Sequence, residues 1–351
     1  MNFASDNAAA IAPDILAAIT RANNGPALAY GNDAWTKRVE QKFADIFERE
    51  VAVFLVPTGT AANALALAHL APPWGAVLCH AESHIATDEC GAPEFFGGGL
   101  KLIGLAGEAG KVSAETLATD LTERQWGGPH HVSPAVLSLS QATEAGTIYR
   151  PDEIRRLADI AHARGLAVHM DGARLANALA RMNASPAEAT WKAGVDALSF
   201  GATKGGALAA EAIVFFDPAL GANMQDRRKR GGHLVSKHRF IAAQIEAYLD
   251  NDLWLRLARH ANAMADRLGE GLAAAGHAPV WPVEANEVFV ALPRETCERL
   301  EVAGARFYPW TSGSLPAGAA PTVHMTLIRL VCSFATAQAE IERFLTLVQA
   351  T

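Results

Sequence analysis

From about residue 50 to residue 216 the chain alternates short apolar runs with longer segments of helical period, and this alternation constrains the fold more than any other feature. "VAVFLV" (51–56) reads as a strand and "TAANALALAHL" (60–70) as a helix. "GAVLC" (75–79) precedes a helix candidate from Glu82, and "AVLSLS" (135–140) precedes "PDEIRRLADIAHARG" (151–165). That last stretch carries Pro151 and acids in its first turn and Gly165 at its end, as a helix should. "LAVHM" (166–170), "DALSF" (196–200) and "EAIVFF" (211–216) are further short apolar runs. Strands that alternate with helices imply an α/β fold with a mostly parallel sheet flanked by helices.

From about 236 to 275 the pattern becomes continuously helical. Two strand candidates follow, "EVFVAL" (287–292) and "TLIRLVCSF" (326–334), and an amphipathic helix closes the chain. We expect a large domain over residues 1–240 and a small α+β domain over 241–351, joined by a long helix. The chain has 351 residues and is 50% hydrophobic, enough for a large core. Its net charge of −7 argues against a nucleic-acid footprint. The run "RRKR" (227–230) reads by itself as a solvated loop. The four cysteines are scattered and form no disulfide framework, which fits a reduced, cytoplasmic protein. The first residues lack a basic signal-peptide region, and no apolar run reaches the roughly 20 residues that span a bilayer.

Ligands of open α/β sheets bind at the carboxyl ends of the strands. Four polar clusters fall there. "PTGTAAN" joins a strand to a helix, so its free amides and the Thr58 and Thr60 hydroxyls can cradle an anion; it lacks the lysine of a P-loop. "HMDGAR" puts Asp171 at a strand end with Arg174 close behind. "FGATKGG" puts Lys204 between two apolar runs, where loss of solvation lowers an amine's pKa and favours Schiff-base chemistry. Arg329 interrupts the apolar "TLIRLVCSF" and needs an anionic partner, either a structural acid or a substrate carboxylate. A phosphate cradle, an acid for a ring nitrogen, a lysine for an aldehyde and an arginine for a carboxylate together describe a pyridoxal phosphate site for an amino acid.

These pieces, with "SDN" near the start, "YGND" (30–33) and "SHIATDECGA" (83–92), run in an order that resembles the threonine aldolase family of fold-type I pyridoxal phosphate enzymes. The detail is most similar to the branch of low-specificity L-threonine aldolases and phenylserine aldolases. The resemblance implies retro-aldol cleavage of L-threonine, L-allo-threonine or L-phenylserine to glycine and an aldehyde. A β-eliminating lyase acting on another amino acid and a non-catalytic pyridoxal phosphate-binding protein are the alternatives.

It also implies roles for single residues. Lys204 binds the cofactor's aldehyde and Asp171 its ring nitrogen. Thr58, Gly59, Thr60 and Asn63 line the phosphate turn. His84 stacks on the ring, and Arg174 lies near the ring oxygen. Arg329 and Ser5 bind the substrate carboxylate, with Tyr30 nearby. The base for the β-hydroxyl is His84 or a member of the pair His130/His131. No metal is implied, and the family implies a homotetramer with sites at subunit interfaces. Two departures stand out. The family's Gly-Gly-Gly-Met-Arg segment is replaced by "RRKRGGHLVSKHRF", where Arg228 is our choice for an arginine reaching a neighbouring subunit's phosphate. The usual Glu-Asn pair of the central strand appears as Ser140-Gln141.

Overall fold

A computed structural model describes residues 1–350. Seven strands form the main sheet: β1 (Ala52–Val56), β2 (Gly75–His80), β3 (Lys101–Leu105), β4 (Ser133–Ser140), β5 (Ala167–Gly172), β6 (Ala197–Gly201) and β7 (Glu211–Phe215). Their order is β1-β7-β6-β5-β4-β2-β3. Only β7 runs against the rest, antiparallel to both its neighbours. The expected mostly parallel sheet is therefore present, and six strands end on one edge. β7 begins on that same edge, which brings Glu211 to the ends of the other strands.

The helix Gly59–Leu70 shows why the centre forms. It is apolar all round, and every residue from Ala61 to Ala68 is buried, as a helix without a polar face must be. The helix Pro151–His162 starts at Pro151, and its Glu153 accepts from the Arg150 amide at 2.6 Å, which caps the first turn. β3 and the helices Pro13–Ala22 and Ala34–Ile46 have no counterpart in the sequence reading.

A second sheet holds β8 (Glu287–Pro293), β9 (Tyr308–Pro309) and β10 (Met325–Val331), in the order β8-β10-β9. It packs with the helices Leu253–Ala274, Arg294–Val302 and Gln338–Gln349 into a separate core built on Leu268, Val290, Leu330 and Phe344. Phe3 belongs to this core, edge-on to Phe344 at 5.2 Å, and its amide bonds to the Arg306 carbonyl at 2.8 Å. The start of the chain is thus strapped onto the small sheet.

One expectation is corrected. The stretch 236–275 is not one helix but two, Arg239–Leu249 and Leu253–Ala274. Asn251 and Asp252 between them adopt left-handed backbone, with φ of 51° and 55°. Short polar side chains tolerate that conformation and stop a helix. No helix among the described residues is long and apolar enough to cross a membrane.

Candidate active site

The carboxyl edge of the main sheet opens into a cavity of about 450 Å³. Thr58, Gly59, Thr60, Asn63, His84, Asp171, Arg174 and Lys204 all line it. Each arrives for a local reason. Thr58 ends the link from β1 and caps the next helix, its hydroxyl accepting from the Ala61 amide at 3.1 Å. The remaining free amides of that first turn face an anion-binding position. A Cβ built at Gly59 would meet no atom within 4 Å, so there is open space over the turn. Asp171 lies near the end of β5, in register with Ser140 on β4 and Ser199 on β6.

Lys204 projects from the tight turn between β6 and β7. The turn is closed by Gly205 and Ala207 amides bonding to the Ala202 carbonyl, both at 3.0 Å. Glu211 accepts from the Ala202 amide at 3.0 Å. A side chain at Gly205 would collide with the Tyr248 hydroxyl, and Gly206 has a φ of 122°, so both glycines are required. The lysine's surroundings are not apolar, as its flanking runs suggest. Asp88, Glu89, Glu144, Asp171 and Glu211 line the same cavity. Burial raises the Glu211 pKa to about 7.

A hydrogen-bonded chain crosses the floor. Asn63 Nδ2 donates to Asp171 Oδ2 at 2.8 Å and to Glu89 Oε1 at 2.9 Å. The same Glu89 oxygen lies 3.0 Å from His84 Nδ1. The contact with Glu89 raises the His84 pKa above its ordinary value. Burial, together with the nearby Asp171 charge, raises Glu89 as well. Both shifts favour a proton at the His84–Glu89 contact. With Nδ1 facing Glu89, only Nε2 of His84 remains free. Asp171 also accepts from the Ala173 amide at 3.0 Å.

The arginines form a second network. Arg174 is buried and donates to Asp6 through Nε at 2.8 Å and Nη2 at 3.2 Å. Its Nη1 lies 3.3 Å from Glu287, and the other oxygen of Glu287 lies 3.9 Å from Arg329. Glu287 thus bridges an arginine of the large sheet and one on β10 of the small sheet. Burial opposes the charge of Asp6, but Arg174 and Lys204 outweigh it and hold its pKa below the usual range. Arg329 stacks on Trp310 at 4.6 Å and donates to the Ala4 carbonyl at 3.4 Å. Its buried Nε has no partner among the described residues. Ser5, next along the strap, accepts from the Asn7 amide at 3.1 Å, and Asn7 lines the cavity.

Four expected residues lie elsewhere. His130 and His131 are exposed in the turn before β4, at the edge where the strands begin. The length of β4, about 25 Å at ~3.3 Å per residue, separates them from Ser140 at the cavity. A strand has two ends, and the sequence does not say that a histidine pair beside it lies at the wrong one. Tyr30 and Arg228 line a separate cavity of about 280 Å³ beside β1. "RRKR" is not a solvated loop but the end of a helix, Met224–Arg230, in which Arg228 is buried. Arg228 Nη1 donates to the Leu55 carbonyl at 2.8 Å, covering an edge strand that has no other neighbour. Burial lowers its pKa to about 10.

Asp6, Glu89, Glu144 and Glu287 join these groups without being singled out by the sequence. Asp6 and Glu89 lie inside "SDN" and "SHIATDECGA", and Glu287 opens an otherwise apolar strand, so each carried a signal. Gln141, in place of the family's asparagine, braces the loop after β4 by two bonds to the Tyr149 backbone, at 2.8 and 3.0 Å.

The chain is similar to known proteins over most of its length. Residues 2–295 match the family described as Beta-eliminating lyase. The chain is 46% identical to a low specificity L-threonine aldolase of Pseudomonas aeruginosa, over 87% of this chain and 88% of that one. It is 41% identical to a protein of the same name from a Pseudomonas species, over 97% and 94% of the two. The solved structure of Leishmania major threonine aldolase superposes with a TM-score of 0.92 at 28% identity, covering 99% of this chain and 98% of that one.

Proposed function

The chain belongs to the Beta-eliminating lyase family, and on that premise we propose that it cleaves L-β-hydroxy-α-amino acids such as L-threonine, L-allo-threonine and L-phenylserine into glycine and an aldehyde. The observation that carries this reading is the grouping in one cavity of a lysine, a buried carboxylate held by Asn63, a helix-start anion cradle, and Arg174 tied to Arg329 through Glu287.

The residues fit the family's cofactor, pyridoxal 5′-phosphate. The open space over Gly59 suits a phosphate on the first helical turn. The Asp171 carboxylate, oriented by Asn63 and the Ala173 amide, suits a protonated ring nitrogen. Thr58, Gly59 and Thr60 would hold the phosphate end, Lys204 the aldehyde carbon and His84 one face of the ring, while Asn63 spends its amide hydrogens on Asp171 and Glu89 and so serves the ring-nitrogen end. When bound, the cofactor supplies an electron sink for the pair left at Cα as the Cα–Cβ bond breaks.

The protein's own groups do the rest. Arg174, Arg329 and Ser5 grip the substrate carboxylate, which fixes the direction of the Cα–Cβ bond. Asp6 and Glu287 keep both guanidiniums in place before substrate arrives. Glu89 holds His84 Nδ1, so the ring presents Nε2 to the ligand. The homotetramer is carried over from the threonine aldolase resemblance alone; Arg228 and Tyr30 lie outside this cavity. The four cysteines are free, in keeping with a cytoplasmic setting.

The test is direct. The purified holoenzyme is incubated with L-threonine and with L-phenylserine, and glycine and aldehyde are measured. Lys204→Ala abolishes release and loses the borohydride-trapped adduct. Formation of a keto acid and ammonia instead would move the reading to β-elimination, and a Lys204→Ala variant at wild-type rate would exclude the scheme.

A further inference from the structure

We propose that Glu144 is the catalytic acid–base of this reaction, taking the β-hydroxyl proton and returning it to Cα. The inference rests on the functional reading above and takes over the step for which the resemblance implies His84 or the pair His130/His131.

The cleavage has a simple proton ledger. The hydrogen of the β-hydroxyl leaves oxygen, and one hydrogen is added at Cα to make glycine. A single group in the cavity wall can carry out both transfers. Most candidates there are already committed. Asp171 is held by Asn63 and the Ala173 amide. Glu89 is held by Asn63 and His84. Glu211 accepts from the Ala202 amide beneath the lysine turn. Asp88 accepts from the Thr87 hydroxyl at 2.8 Å. His84 has one nitrogen on Glu89. Glu144 lines the cavity and makes no hydrogen bond or ion pair among the described residues.

Its free carboxyl is nevertheless carried on a fixed support. Glu144 follows β4 in a turn pinned by its neighbours rather than by its own side chain. The Thr147 hydroxyl donates to the Ala109 carbonyl at 2.7 Å and accepts from the Thr143 hydroxyl at 2.8 Å. The Thr143 amide bonds to the Thr147 carbonyl at 2.9 Å, and the Gly146 amide to the Thr143 carbonyl at 2.9 Å. Gly146 has a φ of 71°, and a Cβ there would press on Glu287 at 3.2 Å. The turn therefore lies against the acid that bridges Arg174 and Arg329, where the substrate carboxylate binds. A rigid turn with an unused acid is the arrangement that positions a base without spending it.

The charges around it suit the task. Burial and the neighbouring Glu287 raise the Glu144 pKa above the usual carboxylate range, while Lys204, His84 and Arg174 pull it back. A carboxylate so placed is a stronger base than an exposed one. In the step itself, Glu144 accepts the proton from the β-hydroxyl, the oxygen's electron pair becomes the second bond of the aldehyde C=O, and the Cα–Cβ bond breaks. Its pair stays at Cα. After the aldehyde leaves, protonated Glu144 delivers the proton to Cα. No further reactant is consumed.

The experiment compares wild-type, Glu144→Gln and His84→Gln holoenzymes. For E144Q, kcat for L-threonine falls by about 10²- to 10³-fold, and the acid limb of the kcat–pH profile disappears. Glycine affinity, read from the cofactor absorbance, stays within about threefold of wild type, as expected for a group that acts on bonds rather than on binding. Exchange of the glycine α-proton in D₂O slows in parallel. An E144Q enzyme with kcat within threefold of wild type, or loss of the acid limb in H84Q alone, overturns the assignment. If E144Q does not fold, Glu144→Ala with added formate is the second measurement. Rescue of the rate upholds the role, and no rescue in a folded protein overturns it. A wild-type enzyme that releases no aldehyde from any β-hydroxy amino acid refutes the functional reading instead, so the two failures are distinguishable.

Discussion

Replacing Asp6 with Asn tests whether the arginine network is built before substrate arrives. Asp6 is buried and accepts two hydrogen bonds from Arg174 and one from Asn286 at 3.2 Å. Asn keeps the shape and removes the charge, leaving buried Arg174 with Glu287 alone at 3.3 Å. Breaking a buried ion pair costs about 3–5 kcal/mol, and the surviving Glu287 contact puts this case near ~3. For 351 residues at ~2.1 cal/mol/K each, one kcal/mol shifts Tm by about 1.4 °C, so D6N melts about 4 °C lower. The pH dependence has a definite sign. The native pKa of Asp6 lies below its unfolded value. Wild type therefore holds its full advantage above the unfolded value of about 3.9 and loses it as pH falls through the native value. Scanning calorimetry of both holoenzymes from pH 7 down to pH 3, with KM for L-threonine at pH 7, reads all of this. KM rises because Arg174 is no longer oriented. A D6N enzyme with unchanged Tm and KM, or a Tm gap that persists undiminished to pH 3, refutes the reasoning.

Two further outcomes follow from other contacts. Glu89→Gln replaces the carboxylate that raises His84 with an uncharged amide, so the His84 titration, followed by NMR of its ring protons, moves down toward the ordinary histidine value; an unmoved titration contradicts the pairing. Phe3→Ala opens a cavity in the small core, where the ring is fully buried against Phe344, costing about 3–5 kcal/mol and slackening the strap that carries Ala4 to Asp6. Melting and KM for L-threonine are both expected to suffer, and a variant affected in neither removes the strap from the site.

Residues at strand ends were the legible part of the site. Lys204, Asp171 and Thr58–Thr60 each follow an apolar run directly, so the sheet's polarity carries them to one edge. The same logic placed Arg329 on an apolar strand in need of an acid, and Glu287 is that acid. Contacts between distant segments were not legible. Asp6 and Arg174 are 168 residues apart, and nothing local in either segment names the other. Glu144 looks like any polar loop residue until the turn around it is known to be pinned. The histidine pair was expected from the family resemblance, but its position before the start of β4 puts it at the opposite edge of the sheet from the cavity. The broken helix was partly visible, since Asp250, Asn251 and Asp252 interrupt the apolar stripe with residues that favour stopping a helix.

The two guanidiniums that meet at Glu287 hang from different cores, Arg174 from the large sheet and Arg329 from β10 of the small one. On the function proposed above, substrate grip is a lever spanning two separately packed cores. A tilt of the small sheet, whether from a substitution at Leu330 or Phe344 or from warming, draws the two claws apart while the cofactor cradle stays intact. Such an enzyme loses its hold on amino acids well before it loses its colour.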